Sequence, residues 1–166
     1  MYRVFLGLGS NLGERMRFLQ QAIDELHRLG RVVRASSVYE TKPIGMTSSR
    51  DFYNMAVEME TDLAPDELFS KLTAIEKKLG RSPSTHMKDR EIDIDILIYD
   101  NLYFEDHAIE VPHPLLQKRR FALEPLNDID GDVRHPLLGT TMRDLLRTCA
   151  DSGKVKKVKF KVTLPS

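Results

Sequence analysis

The sequence has almost no cysteine, no excess charge of either sign and no long apolar run. Cys149 is the single cysteine in 166 residues. No internal disulfide can form, which favours a reducing compartment. The 25 Lys and Arg residues balance 25 Asp and Glu, so no overall field draws nucleic acid or an acidic membrane surface. No apolar stretch approaches the roughly 20 residues that a membrane-spanning helix needs. The opening MYRVFLGLGS is too short and too rich in glycine for a secretory signal, and reads as a strand. Internal repeats and low-complexity linkers are also missing. These absences point to a cytoplasmic protein. Its length, with 41% hydrophobic and 30% charged residues, points to a single domain over residues 1–166 with a buried core.

What is present alternates between strand and helix patterns. YRVFLGLG is a strand ending in glycines. Residues 14–29 carry Leu19, Ile23, Leu26 and Leu29 at helical spacing, with Gly30 as the stop. Residues 32–41 are β-rich, and KPIGMTSSRD is a loop. FYNMAVEMET alternates, with Tyr53, Met55, Val57 and Met59 on one face and Phe52, Asn54 and Ala56 on the other. APDELFSKLTAIEKKLG is a second helix, with Pro65 near its start and Leu68, Leu72, Ile75 and Leu79 on its buried stripe. A polar loop over residues 81–89 leads to a further strand. The order β-α-β-β-α-β predicts an α+β, ferredoxin-like antiparallel sheet with helices on one face, followed by a C-terminal extension.

Four segments carry candidate chemistry. In REIDIDILIYD, Ile92, Ile94, Ile96 and Ile98 take every second position, and Asp93 and Asp95 stand between them. Residues i and i+2 of a strand point the same way, roughly 7 Å apart. The two carboxylates therefore share a face, which Leu97 and Tyr99 continue. Such a pair repels unless a cation sits between, and hard oxygen ligands with room for water suit Mg²⁺. An ordinary solvated strand face is the alternative. GLGSNLG matches neither the dinucleotide fingerprint nor a P-loop; a tight turn with Ser10 or Asn11 capping the next helix is the favoured reading. In ETKPIG and DFYN, loop backbone, Phe52 and Asn54 suit the face and edge of a flat heterocycle, or else form a surface loop and a core aromatic. VPHPLLQKRRF gathers His113, Lys118, Arg119 and Arg120 near Phe121, either for phosphate or as a solvated face. In the terminal KVKKVKFKV, Lys157, Lys159 and Lys161 alternate with Val158, Phe160 and Val162, as in an edge strand guarded by lysine.

GLGSN, ETKPIG, DFYNMAV, IEKKLGR, REIDIDIL, VPHP and RRFAL stand in this order. Together they resemble the 6-hydroxymethyl-7,8-dihydropterin pyrophosphokinases of folate biosynthesis, over roughly residues 2 to 145. The resemblance implies transfer of the β,γ-diphosphate of ATP to the pterin hydroxymethyl group, with ATP as co-substrate. It implies that Asp93 and Asp95 hold two Mg²⁺ ions. Thr41, Pro43 and Gly45 would line the pterin site with their backbone, Asn54 would hydrogen-bond the pterin, and Phe52 and Phe121 would sandwich it. Arg81 and Arg90 would stabilise the transferring group. His113 and Arg119 would contact phosphates, Glu76 would lie on the nucleotide side, and Ile96 near the adenine. The partners implied are these two small molecules, with no nucleic acid, no membrane and a monomeric state. The loop over residues 81–89, rich in Ser and Pro, is expected to close over bound substrates.

Two other classes compete. A metal- or nucleotide-binding regulatory module would not need a stacking pair, a carboxylate pair and flanking arginines at once. A nucleic-acid-binding ferredoxin-like domain wants aromatics and basic residues on its central strands, where Asp93 and Asp95 stand instead.

Overall fold

A computed structural model describes residues 1–42, 50–80 and 91–165. Strand β1 (Tyr2–Ser10) is followed by helix α1 (Arg15–Leu26), whose Leu19, Ala22, Ile23 and Leu26 form one buried stripe. Strands β2 (Arg31–Ala35), β3 (Tyr39–Thr41) and β4 (Phe52–Thr61) follow. Helix α2 (Pro65–Lys78) starts at its proline, with acids in its first turn and lysines in its last, as the helix dipole favours. Strand β5 (Asp93–Tyr99) and a short hairpin of β6 (Phe104–Glu105) and β7 (Glu110–Val111) lead to a 3₁₀ turn, Leu116–Lys118. Helices α3 (Arg120–Asp130) and α4 (Met142–Arg147) and strand β8 (Val155–Lys157) complete the described chain.

The main sheet runs β5-β1-β4-β3-β8, with β2 also paired to β4, and every pairing is antiparallel. This is the ferredoxin-like order, with β1 and β4 in the centre. Both helices of that unit cover one face. Val4, Leu6 and Leu8 of β1, Met55, Val57 and Met59 of β4, and Ile94 and Ile96 of β5 meet α1 and α2 in one core. The C-terminal extension covers part of the other face, where Phe5, Ala56, Leu97 and Ile98 pack against α3 and α4.

Four local expectations are corrected. The first concerns β5, whose register slips between Phe5 and Leu6 of β1. The extra residue turns Ile98 to the α3 side and Tyr99 into the helix-side core, so neither continues the face its position in the alternation implies. The second concerns the start of α1. Ser10 belongs to β1, Gly13 makes the turn at φ 73°, and Glu14 occupies the cap position without a side-chain cap bond. The amide of Asn11 donates instead to the carbonyl of Arg50. The third is that α1 ends at Leu26 rather than Leu29. The fourth is that the terminal strand stops at Lys157. Beyond it Val158 and Val162 pack on the core while Phe160 is 60% exposed. The edge position of the lysine-bearing β8 is as expected.

Candidate active site

The second face of the sheet is apolar at one end and polar at the other. Register explains the polar end. Gly9 pairs with Asn54 of β4 on one side and with Asp93 of β5 on the other. Gly7 pairs likewise with Ala56 and Asp95. Two rows therefore cross three strands with glycine at each centre. A trough opens there, because strands lie about 4.8 Å apart and glycine adds no side chain between its neighbours. A Cβ on Gly9 would stand 2.6 Å from Asn54 Oδ1, and one on Gly7 would stand 3.3 Å from the Leu97 side chain. Gly7 and Gly9 are the floor of the site rather than part of a turn, so within GLGSNLG the tight turn falls to Gly13 alone. G-x-G has the same i, i+2 spacing as D-x-D, but only the strand pairing assigns it to the floor.

Gly7, Gly9, Asn54, Asp93, Asp95 and Leu97 line one pocket together with His113, Leu116, Arg119 and Phe121. Asn54 is buried and its Nδ2 donates to the Thr41 hydroxyl at 2.6 Å, leaving Oδ1 over Gly9. Phe52 shares the face of Asn54 and pairs with Thr41 across the ladder. The backbone N–H of His113 donates to the Leu97 carbonyl at 2.9 Å, which hooks the segment after β7 onto β5. His113 Nδ1 accepts from the Leu115 N–H at 3.1 Å. Burial, and then the Arg119 charge, push the imidazole down to about 4, against the opposing pull of Asp93. His113 is thus a neutral ring presenting Nε2–H at ordinary pH, not part of a basic cluster. Arg119 lies 5.6 Å from the centre of the Phe121 ring. Arg120 turns away: its backbone N–H and Nε hold Asp151, and its Nη1 holds Glu124. That removes it from the candidate phosphate ligands.

Thr41, Phe52, Glu76 and Ile96 are not on the lining of this pocket, although Phe52 stands next to its floor, its Cδ1 3.5 Å from where a Cβ on Gly9 would be. Ile96 is 7% exposed in the helix-side core, because alternation along β5 gives the pocket face to Asp93 and Asp95. Glu76 Oε2 accepts the backbone N–H of Ile94 at 2.8 Å. That N–H lies between the two aspartates on the outermost strand, so Glu76 steadies the strand that carries them. Pro43, Gly45, Arg81, Arg90 and the loop over residues 81–89 lie outside the described residues.

Among the described residues no group of three or more His, Cys, Asp or Glu side chains converges as a metal cage. Two carboxylates on one strand face beside an open trough fit Mg²⁺, which takes one or two carboxylates and fills its shell with water and phosphate.

Residues 5–131 match the family model 7,8-dihydro-6-hydroxymethylpterin-pyrophosphokinase (HPPK). The 2-amino-4-hydroxy-6-hydroxymethyldihydropteridine pyrophosphokinase of Aquifex aeolicus is 38% identical over 144 residues, covering 87% of this chain and 90% of that protein. The enzyme of the same name from Bacillus subtilis is 40% identical over 131 residues, 78% of each chain. The chain spans a smaller part of the folic acid synthesis protein fol1 of Pneumocystis carinii, 20% of its length at 36% identity and 89% coverage of this chain. The fold is also that of a solved HPPK-DHPS in complex with substrates. There the TM-score is 0.72 at 15% identity, over 89% of this chain and 43% of the solved one. In the described residues no helix is long and apolar enough to cross a membrane. The chain belongs to the 7,8-dihydro-6-hydroxymethylpterin-pyrophosphokinase family, the pyrophosphokinases of folate synthesis.

Proposed function

We propose that this chain transfers the β,γ-diphosphate of ATP to 6-hydroxymethyl-7,8-dihydropterin with Mg²⁺, giving AMP and the pterin diphosphate. The observation that carries the reading is the glycine-floored trough, with an amide on one bank and two carboxylates on the other. In the reaction the pterin hydroxyl oxygen bonds the β-phosphorus and releases its proton. The bond from that phosphorus to the α,β-bridging oxygen breaks, and AMP leaves. Such a transfer asks the protein for alignment and charge cancellation rather than covalent chemistry.

Phe52 and Phe121 hold the faces of the pterin ring. Asn54 reads its edge, with its amide fixed by Thr41, and the backbone of Thr41, Pro43 and Gly45 completes that side. Arg119 and the neutral Nε2–H of His113 bind phosphate oxygens, one as a charge and one as a plain donor. Arg81 and Arg90 bear on the transferring group. Glu76 acts through the β5 backbone, and Ile96 supports the nucleotide side from behind. Asp93 and Asp95 would hold two Mg²⁺ ions, which supply charge neutralisation to the triphosphate when bound. Residues 1–166 act as one domain and as a monomer in the cytoplasm, on two small-molecule substrates.

The test is incubation with ATP, Mg²⁺ and the hydroxymethyl dihydropterin, followed by nucleotide analysis. AMP formed in equal amount to pterin consumed is the expected result. ADP as the main product would leave an ordinary kinase in its place.

A further inference from the structure

Arg15, the first residue of α1, ties three elements together beside the pocket. Its guanidinium carbon lies 3.6 Å from the centre of the Tyr53 ring. Its Nη1 donates to the carbonyl oxygen of Asp51 at 3.0 Å and to the Glu40 carboxylate at 3.3 Å. Nearby, Asn11 Nδ2 donates to the carbonyl of Arg50 at 3.3 Å. Residues 50 and 51 immediately precede Phe52, and Glu40 immediately precedes Thr41. In the β3–β4 ladder Tyr53 pairs with Glu40, and Phe52 with Thr41. Tyr53 packs on the helix side, so its ring is on the opposite face from Phe52 and Asn54. Arg15 therefore grips the ladder from behind, at the rungs whose front face carries the aromatic and the amide.

A planar guanidinium suits this place. It stacks flat on an aromatic ring while its edge still donates hydrogen bonds, which an ammonium group cannot do in one geometry. The carboxylates and His113 are carried by β5 and the segment after β7, which Arg15 does not bridge.

We propose that Arg15 is a positioning residue for the pterin side of the pocket, clamping Tyr53, Asp51 and Glu40 so that Phe52 and Asn54 are held ready for the ring. This rests on the pterin reading of Phe52 and Asn54 given above. It sets the side chain apart from an ordinary surface ion pair, whose loss would change nothing measurable.

The experiment titrates the hydroxymethyl dihydropterin into the full chain at saturating Mg²⁺ and a non-hydrolysable ATP analogue. It is run for the unsubstituted protein, Arg15→Met and Arg15→Lys, with the ATP analogue titrated separately and melting curves recorded. Arg15 is only partly buried, so both variants should fold. Pterin Kd should rise about five- to tenfold in Arg15→Met, the scale of losing a stacked charge and a hydrogen bond. ATP-analogue Kd should stay within about twofold, and lysine should restore only part of the loss. In turnover, the pterin KM should rise by a larger factor than kcat falls. Unchanged pterin binding in Arg15→Met, an equal loss for both ligands, or full rescue by lysine would each overturn the proposal. If the unsubstituted chain itself fails to bind the pterin, the functional reading falls, and this inference with it.

Discussion

The two faces of the central sheet are built from the same three strands and do opposite work. On the helix side, Leu6 and Leu8 of β1, Val57 and Met59 of β4, and Ile94 and Ile96 of β5 are all buried against α1 and α2. On the other side, the same strands place Gly7, Gly9, Asn54, Asp93 and Asp95 around an open trough. Period-2 alternation lets one segment serve both purposes, because outside the bulge neighbouring residues take opposite faces. The aliphatic face fixes where the backbone lies, and the backbone in turn fixes the two acids to the spacing of the strand. The second face is itself divided. Below the trough, Phe5, Ala56, Leu97 and Ile98 close against α3 and α4, and the bulge in β5 is what brings both Leu97 and Ile98 to that closure.

Removing an acid should break the comparison most sharply. Asp93→Asn or Asp95→Asn should cut Mg²⁺-dependent turnover about a hundredfold or more. The melting temperature should hold or rise, since loss of one close like charge relieves repulsion. Full activity in both variants would make the pair a solvated face after all. Leu6→Ala, on the opposite side of β1, should do the reverse. Leu6 is fully buried, and its truncation should cost about 2–5 kcal/mol of stability. Both KM values should stay unchanged in the fraction that remains folded. A selective rise in one KM would mean that the faces are not independent.

A smaller effect is expected within the trough. Asn54→Ala should weaken pterin binding by about 1–3 kcal/mol, the cost of leaving polar edge groups unpaired, with ATP binding barely altered. Loss of both together would indicate distortion rather than a lost contact. The smallest effect is a pH dependence. In the metal-free protein His113 is held neutral, down at about 4 against an ordinary 6.5. The unfolded chain therefore takes up a proton that the folded one refuses. The stabilising contribution is complete above about pH 6.5 and is lost as pH falls from there towards about 4. An NMR titration of the His113 ring should show no protonation until below about pH 5, and a midpoint near 6.5 would contradict the burial argument.

Much of this division was legible in the sequence, where local period decided the matter. D-I-D-I and F-x-N each sort their residues onto faces with no knowledge of partners, and the aromatic–amide and carboxylate pairs follow. The role of Gly7 and Gly9 was not legible from their motif alone, since glycine after a strand signals a turn as readily as a floor. Only pairing with Asn54 and Asp93 distinguishes the two. The bulge at Leu97 escaped for the same reason, because a bulge is a property of two strands in register. Helix α3 was hidden by Pro125, which lies inside it and removes a backbone donor. The apolar stripe of Ala122, Leu123 and Leu126 holds that helix on the sheet nonetheless.

The most direct test of the two-face account is a methyl NMR titration of leucine-labelled protein with Mg²⁺, a non-hydrolysable ATP analogue and the hydroxymethyl dihydropterin. The methyls of Leu97 and Leu116, which line the trough, should shift on addition of ligands. Those of Leu6, Leu19 and Leu72, buried in the helix-side core, should stay in place. Shifts confined to Leu6, Leu19 and Leu72, with Leu97 and Leu116 unmoved, would contradict the assignment of the site to the glycine-floored face.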